Sequence, residues 1–428
     1  MNNFEEIRKI ASTLRQNQNF AEALPLFKKL WEEDDNKKWD GWGYALCLRK
    51  LGKSEESIQI CEEVLKNNNN FDYIKNVYVW SIFDYLSQKG DSLSIQELIA
   101  NTEKIINNSS KQDLIYTKSI FKVINKLKEN PNYPANIILN FIDKLDINNL
   151  SKTPYSFEQN GKKIEMASEY EQYFMHKTKA LYELKQYEKC IEACNLALNS
   201  INNFHYNNDI WFKWRIALSY KELKKYDAAL NNLQYIVKIK KDWFIQHEIA
   251  VIYYILKNYE KALSFALQGI LNFGEIDKKI HLLILLAEIF EAKQMEHEAK
   301  LHFVLAKSII NENKWGTKLP SNLSKKYGNF HLNKLDILNE LKNVWEEAYF
   351  SNKQQYTGVI SSYLPNKKAG FIMGEDNKTY YFKISELTDK KEKFHEGTKV
   401  VFYLEDSFDA KKNKPVKNAV KIKIASCY

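Results

Sequence analysis

Hydrophobic positions recur at helical spacing from Phe4 to about Tyr349, in pairs of short segments. One frame returns six times. Ala11 and Leu14 precede Phe20, Ala23, Phe27 and Leu30; Ala45 and Leu48 precede Ser57, Cys61 and Val64. The frame returns at Thr178–Ala197, Ala217–Ile236 and Ala250–Gly269, and more loosely at Ala287–Ala306. Small residues of the second segment stand 34 (Ala23 to Ser57), 39 (Cys190 to Ala229), 33 (Ala229 to Ala262) and 37 (Ala262 to Ala299) positions apart. Paired helices approach closely only where one side carries Ala, Ser, Cys or Gly, and larger residues fill the holes of the next pair.

A period near 34 with this alternation resembles the tetratricopeptide (TPR) repeat family, most clearly in LKKYDAALNNL (Leu223–Leu233) and LKNYEKALSFA (Leu256–Ala266). The resemblance implies a mainly α chain: an α-solenoid of paired antiparallel helices with a protein partner in its groove. Residues 1–70 form a first TPR block. Residues 71–165 form an irregular helical link, off-phase and broken at Pro131 and Pro134. Residues 166–350 form a second block with a capping helix from about Leu332 to Phe350. Ser151–Lys163, with Pro154 and Gly161, reads as an inserted loop, and Trp315–His331 as another.

After Gln355 the period changes from helical to alternating. Strands are expected at Gly358–Leu364, Gly370–Gly374, Thr379–Ile384, Lys399–Glu405 and Ala419–Ile424, which suggests a small five-stranded barrel. The stretches GVISSYLPNKKAGFI (358–372), TYYFKISEL (379–387), EGTKVVFYL (396–404) and KNAVKI (417–422) resemble a cold-shock domain, a subclass of the OB-fold, over residues 356–424. That family lays single-stranded RNA or DNA over its second and third strands, stacking bases on aromatics and holding phosphates with lysines. Carried over by position, Phe371 and Tyr381 are stacking residues, Tyr363 is the second aromatic of the first strand, and Lys383 stands where the family has histidine. Alternation places Phe371, Tyr381 and Lys383 on one face, with Ile372, Tyr380 and Phe382 inside. Two platforms are missing, since Ser362 and Ala369 replace aromatics. At roughly 1–3 kcal/mol per stacked base, that predicts a weaker binder that relies on Lys367, Lys368, Lys411, Lys412 and Lys414. Those ammonium groups make binding salt-sensitive, by about 0.7 in slope per phosphate neutralised.

Charge supports that division. The chain has 428 residues and a net charge of +9, and from Ser351 onward 15 Lys face 9 acidic residues. Most of the basic excess thus sits in the barrel segment, as expected of a nucleic-acid partner. Only 13 Gly and 7 Pro argue against a turn-rich all-β chain or an α/β enzyme with glycine loops. Five scattered cysteines do not make a disulfide framework. MNNFEEIRKI lacks the features of a signal peptide, and no apolar run is long enough to span a bilayer. The expectation is a cytoplasmic protein without a membrane partner.

No catalytic set, metal site or cofactor site emerges, and the chain is expected not to be an enzyme. Leu51-Gly52-Lys53-Ser54 lacks the earlier glycine of a phosphate loop. His297 and His302 are five apart, about 140° around a helix. Cys190 and Cys194 fall at packing positions. In the TPR resemblance Trp42, Arg49, Trp214, Lys221 and Tyr254 line the partner groove; inter-repeat packing is the competing role for the large aromatics. Two functions stay open. One is a non-catalytic adaptor binding single-stranded RNA (or ssDNA) through the barrel and a protein through the solenoid. The other is a purely protein–protein interaction scaffold in a bacterial multi-protein system, with the barrel as a docking module.

Overall fold

The computed structural model describes residues 3–240, 242–351, 353–388, 394–409 and 414–425. Small residues mark the helix crossings: Ala23, Ala45, Ser57, Cys190, Ala217, Ala229, Ala250, Ala262, Ala287 and Ala299 are all fully buried. At two crossings the small residue also donates a hydrogen bond. Ser57 Oγ bonds the Ala45 carbonyl at 2.8 Å, and the Cys190 thiol bonds the Thr178 carbonyl at 3.3 Å, in both cases twelve residues back.

The turns inside the pairs repeat as regularly as the crossings. Gln18, Gly52, Lys185, Lys224, Lys257 and Gln294 all have φ between 58° and 79°. In each turn the next N–H donates to a carbonyl five residues back, as Lys225 does to Tyr220 and Asn258 to Tyr253. This is the Schellman closure, which ordinarily selects glycine. Here Lys and Gln take the left-handed position at five of the six.

The chain divides into two compact units, Met1–Asn232 and Leu233–Tyr428. In the first, TPR-like helix pairs run Asn3–Gln16 with Phe20–Glu33, Lys37–Lys50 with Ser54–Asn67, Asp72–Lys89 with Ile95–Asn107, and Leu114–Leu127 with Ala135–Lys144. Glu169–Glu183 with Tyr187–Ser200 and the helix Asn208–Glu222 follow. The expected break at Pro131 and Pro134 falls between two of these helices. The expected loop at Ser151–Lys163 is instead part of a β-hairpin, β1 (Tyr155–Gln159) and β2 (Lys162–Met166). Asn160 and Gly161 supply its two left-handed turn residues. His205 holds the hairpin to the helices, sharing its ring nitrogens between Glu165 at 2.9 Å and buried Glu171 at 2.8 Å. Those carboxylates raise its pKa.

In the second unit the pairs are Trp243–Ile255 with Tyr259–Leu271 and Ile280–Ala292 with Glu296–Glu312. The stretch expected as a loop at 315–331 holds one short helix, Ser321–Tyr327, before the last helix, Lys334–Phe350. The barrel follows: β3 (Gln355–Tyr363), β4 (Ala369–Gly374), β5 (Thr379–Lys383), β6 (Lys399–Asp409) and β7 (Lys414–Ile424). It closes in the order β3-β4-β5-β7-β6, with β5 and β7 parallel and the other pairs antiparallel. Ile360, Ile372, Phe382, Phe402, Ala419 and Ile422 fill it. Gly370 is obligatory, because a Cβ there would lie 2.6 Å from the Ser362 carbonyl and 2.8 Å from the Phe382 ring.

Among the described residues no helix is long and apolar enough to cross a membrane.

Candidate nucleic-acid interface

Register builds the outer face of β4 and β5. Phe371 pairs with Tyr381, Ala369 with Lys383 and Met373 with Thr379. The Phe371 and Tyr381 rings meet edge to face, 5.9 Å apart at 68°, and both keep part of their surface exposed. Their neighbours Ile372, Tyr380 and Phe382 are buried inside, so the alternation separates the two sets as the pattern requires.

Lys383 is exposed at one end of this face. Lys367 and Lys368 sit beside it, in a turn held by Lys367 N–H to the Leu364 carbonyl and by Ile384 N–H to the Lys368 carbonyl. None of the three makes an ion pair with a described residue. Lys414 is exposed at the start of β7. Lys411 and Lys412 lie outside the described residues.

Tyr363 departs from its expected place. Its ring packs on the core, 5.8 Å from Phe382, and its hydroxyl donates to the Phe394 carbonyl at 3.0 Å. Burial, with Glu396 nearby, raises its pKa. A β-bulge between Ile360 and Ser362 shifts the register there, which strict alternation from Gly358 does not anticipate. Met373, 43% exposed, completes the open face instead. Alternation through 369, 371 and 373 could have found it. Ala369 is itself buried, and Ser362 lies opposite Phe371.

The last helix docks elsewhere on the barrel. Phe350 lies 4.6 Å from the Tyr403 ring, Tyr349 donates to Glu405 at 2.8 Å, and Glu346 pairs with Lys421 at 3.1 Å. These contacts use β6 and β7 and leave the β4–β5 face free of that helix.

The expected groove residues are more engaged. Arg49 bonds Asp84 at 2.7 Å and lies 5.3 Å from the Trp80 ring, so it is a structural ion pair rather than a free anchor. Lys221 lies 3.5 Å from Glu222, with 18% of its side chain exposed. Trp214 is half-buried in the first unit. Tyr254, in the second unit, is half-buried with its ring 5.8 Å from Tyr259. Trp42 belongs to an aromatic cluster: Trp39 lies 5.8 Å and Tyr73 5.7 Å away, and the Arg15 guanidinium stacks at 4.3 Å. Tyr73 arrives from the following helix pair, beyond the reach of a single repeat frame. Trp39 and Tyr73 are exposed.

The other cysteine and histidine candidates are absorbed by packing. Cys47, Cys61, Cys190 and Cys194 are buried free thiols, while Cys427 lies outside the described residues. His297 pairs with Glu340 and His302 with Trp345. No cluster of three metal-ligating side chains occurs among the described residues.

Comparison with protein families finds no match, and no curated protein is similar. Among solved structures the chain is similar to MamA, residue 41 to the end, of Desulfovibrio magneticus RS-1: 13% identity over 47% of this chain and 97% of that one, TM-score 0.35. It is similar to PilF of Pseudomonas aeruginosa, with 12% identity, 63% and 97% coverage and a TM-score of 0.35. A tetratricopeptide repeat protein of Parabacteroides merdae matches at 12% identity over 76% and 96%, with a TM-score of 0.29.

Proposed function

We propose that this protein is a non-catalytic cytoplasmic adaptor whose barrel binds single-stranded RNA and whose helical array binds a protein. One observation carries the reading: Phe371, Tyr381 and Met373 share an open face of β4–β5, and Lys367, Lys368 and Lys383 flank its end, none in a close ion pair among the described residues, though the charge of Lys383 reaches Glu386. Stacking planes beside ammonium groups suit unpaired bases and their phosphates. The strand order supports the cold-shock and OB resemblance, whose second and third strands carry the nucleic acid. Two platforms are lacking and Tyr363 faces inward, so the site is small and binding is modest.

The pure scaffold is favoured by the exposed Trp39 and Tyr73, since aromatics with cations nearby suit a protein interface. Titration of a labelled single-stranded oligoribonucleotide decides. RNA binding predicts that Phe371→Ala or Tyr381→Ala weakens affinity by about 1–3 kcal/mol, with a salt slope of about 0.7 per phosphate. Equal affinity of wild type and both variants removes the site.

A further inference from the structure

Three segments of the first unit bring positive charge together away from the barrel. Arg215, on the helix Asn208–Glu222, reaches back to the helix Glu169–Glu183. There one terminal nitrogen donates to Thr178 Oγ1 at 3.2 Å and contacts Met175 Sδ at 3.6 Å. Its remaining donors, of the five a guanidinium carries, bond nothing among the described residues, and the residue is half-buried. Lys179, one residue beyond Thr178, places its ammonium 3.9 Å from the centre of the Tyr133 ring. Tyr133 comes from the link before Ala135–Lys144, and its buried hydroxyl has no hydrogen-bond partner. Its backbone is held at φ 31° before Pro134, a costly conformation for a tyrosine.

Lys128 adds a third cation near His176, whose burial, with Lys128, Arg215 and Lys179 around it, lowers its pKa to about 3. The imidazole is therefore neutral. The field of Glu183 reaches both Arg215 and Lys179, and among the described residues it makes no ion pair with either. Gathering partly desolvated cations without paired carboxylates is expensive, and the cost is recovered when an anion binds. A cluster of three cations matches a phosphate dianion better than a single carboxylate. Arg supplies the planar fork suited to its oxygens, and Tyr133 offers a free O–H.

We propose that Arg215, Lys179 and Tyr133 form a binding site for the terminal phosphate of a nucleotide or of a 5′-phosphorylated strand. Tyr133, whose ring the Lys179 ammonium faces at 3.9 Å, is the aromatic group beside which an attached base lies. The site stands whether or not the barrel binds RNA.

The test uses the full chain and calorimetric titration with AMP, adenosine, and 5′-phosphorylated and 5′-hydroxyl forms of one adenine trinucleotide. The phosphate-bearing form of at least one pair should bind about tenfold more tightly, as charge-assisted hydrogen bonds require. A preference in the AMP pair identifies a mononucleotide; one confined to the trinucleotide pair identifies a strand end. Either preference should disappear in Lys179→Gln and shrink in Tyr133→Phe, but persist in Phe371→Ala and Lys383→Gln. Lys179 is only half-buried, so its variant remains informative even where Arg215→Gln does not fold. Equal binding within both pairs overturns the proposal. So does a preference that survives Lys179→Gln or is lost only in Lys383→Gln.

Discussion

Trp345 donates its indole N–H to Nε2 of His302 at 2.7 Å, and Nδ1 of the same ring bonds the Glu298 carbonyl at 2.7 Å. The pair fixes His302 as the neutral Nδ1–H tautomer and fastens the last helix to the helix Glu296–Glu312. The ring is fully buried and stacks on Phe290, 5.1 Å away.

That arrangement makes stability depend on acid. Burial pushes the His302 pKa down to about 4, against an ordinary 6.5. Between those values the unfolded chain binds the proton and the folded one does not, so folding weakens as pH falls. The contribution is fully present above pH 6.5 and declines towards pH 4, by roughly 3 kcal/mol in total. Chemical denaturation at pH 7.5, 6 and 5 should show the decline, and His302→Gln should reduce it, with His176 supplying the remainder. An unchanged slope in His302→Gln assigns the acid sensitivity elsewhere. Trp345→Phe leaves Nε2 buried without a donor and should cost about 1–3 kcal/mol.

The lysines at the left-handed turns give a second expectation. Lys224 and Lys257 are exposed, so Gly there removes a strained Cβ without losing a contact. Relief of roughly 1–2 kcal/mol is partly offset by the freedom glycine gains when unfolded, leaving about 0.5–1 kcal/mol of stabilisation per site. Melting temperatures of Lys224→Gly, Lys257→Gly and the double variant should rise in order. A fall in either single variant contradicts the turn argument.

The crossings can be interrogated by size. Cys190 occupies the role that Ser57 fills elsewhere, down to the hydrogen bond twelve residues back. Cys190→Ser should therefore be tolerated within about 1 kcal/mol, whereas Cys190→Leu should cost about 1–3 kcal/mol or more by overpacking. Urea denaturation compares them, and equal loss in both variants contradicts a steric role.

Tyr363 separates the barrel's two faces. Tyr363→Phe removes only the bond to the Phe394 carbonyl and should lower barrel stability by about 1 kcal/mol. It should leave oligonucleotide affinity unchanged, in contrast to Tyr381→Ala. A tenfold loss of affinity in Tyr363→Phe would return this residue to the binding face.

Much of this architecture is legible in the chain because it rests on local periodicity. Small residues at Ala23, Ser57, Cys190, Ala229, Ala262 and Ala299 announce the crossings, and alternation through Ile372, Tyr380 and Phe382 separates the barrel's interior from its surface. Features that depend on a second segment are less visible. The β1–β2 hairpin offers only weak alternation and is held by His205, some forty residues away. Tyr363 turns inward because of a bulge that no composition signals. Arg49 reads as an open anchor until Asp84 arrives from the next pair, and the Arg215–Lys179–Tyr133 site draws on three separate segments.

The seam between the last helix and the barrel has a practical consequence. Phe350 shields Tyr403, and Glu346 and Tyr349 engage Lys421 and Glu405. An excision beginning at residue 356 strips that lid, baring an aromatic and leaving a lysine and a glutamate without their helical partners. A fragment starting ahead of Lys334 retains the brace, so the helix travels with the barrel as one mechanical piece.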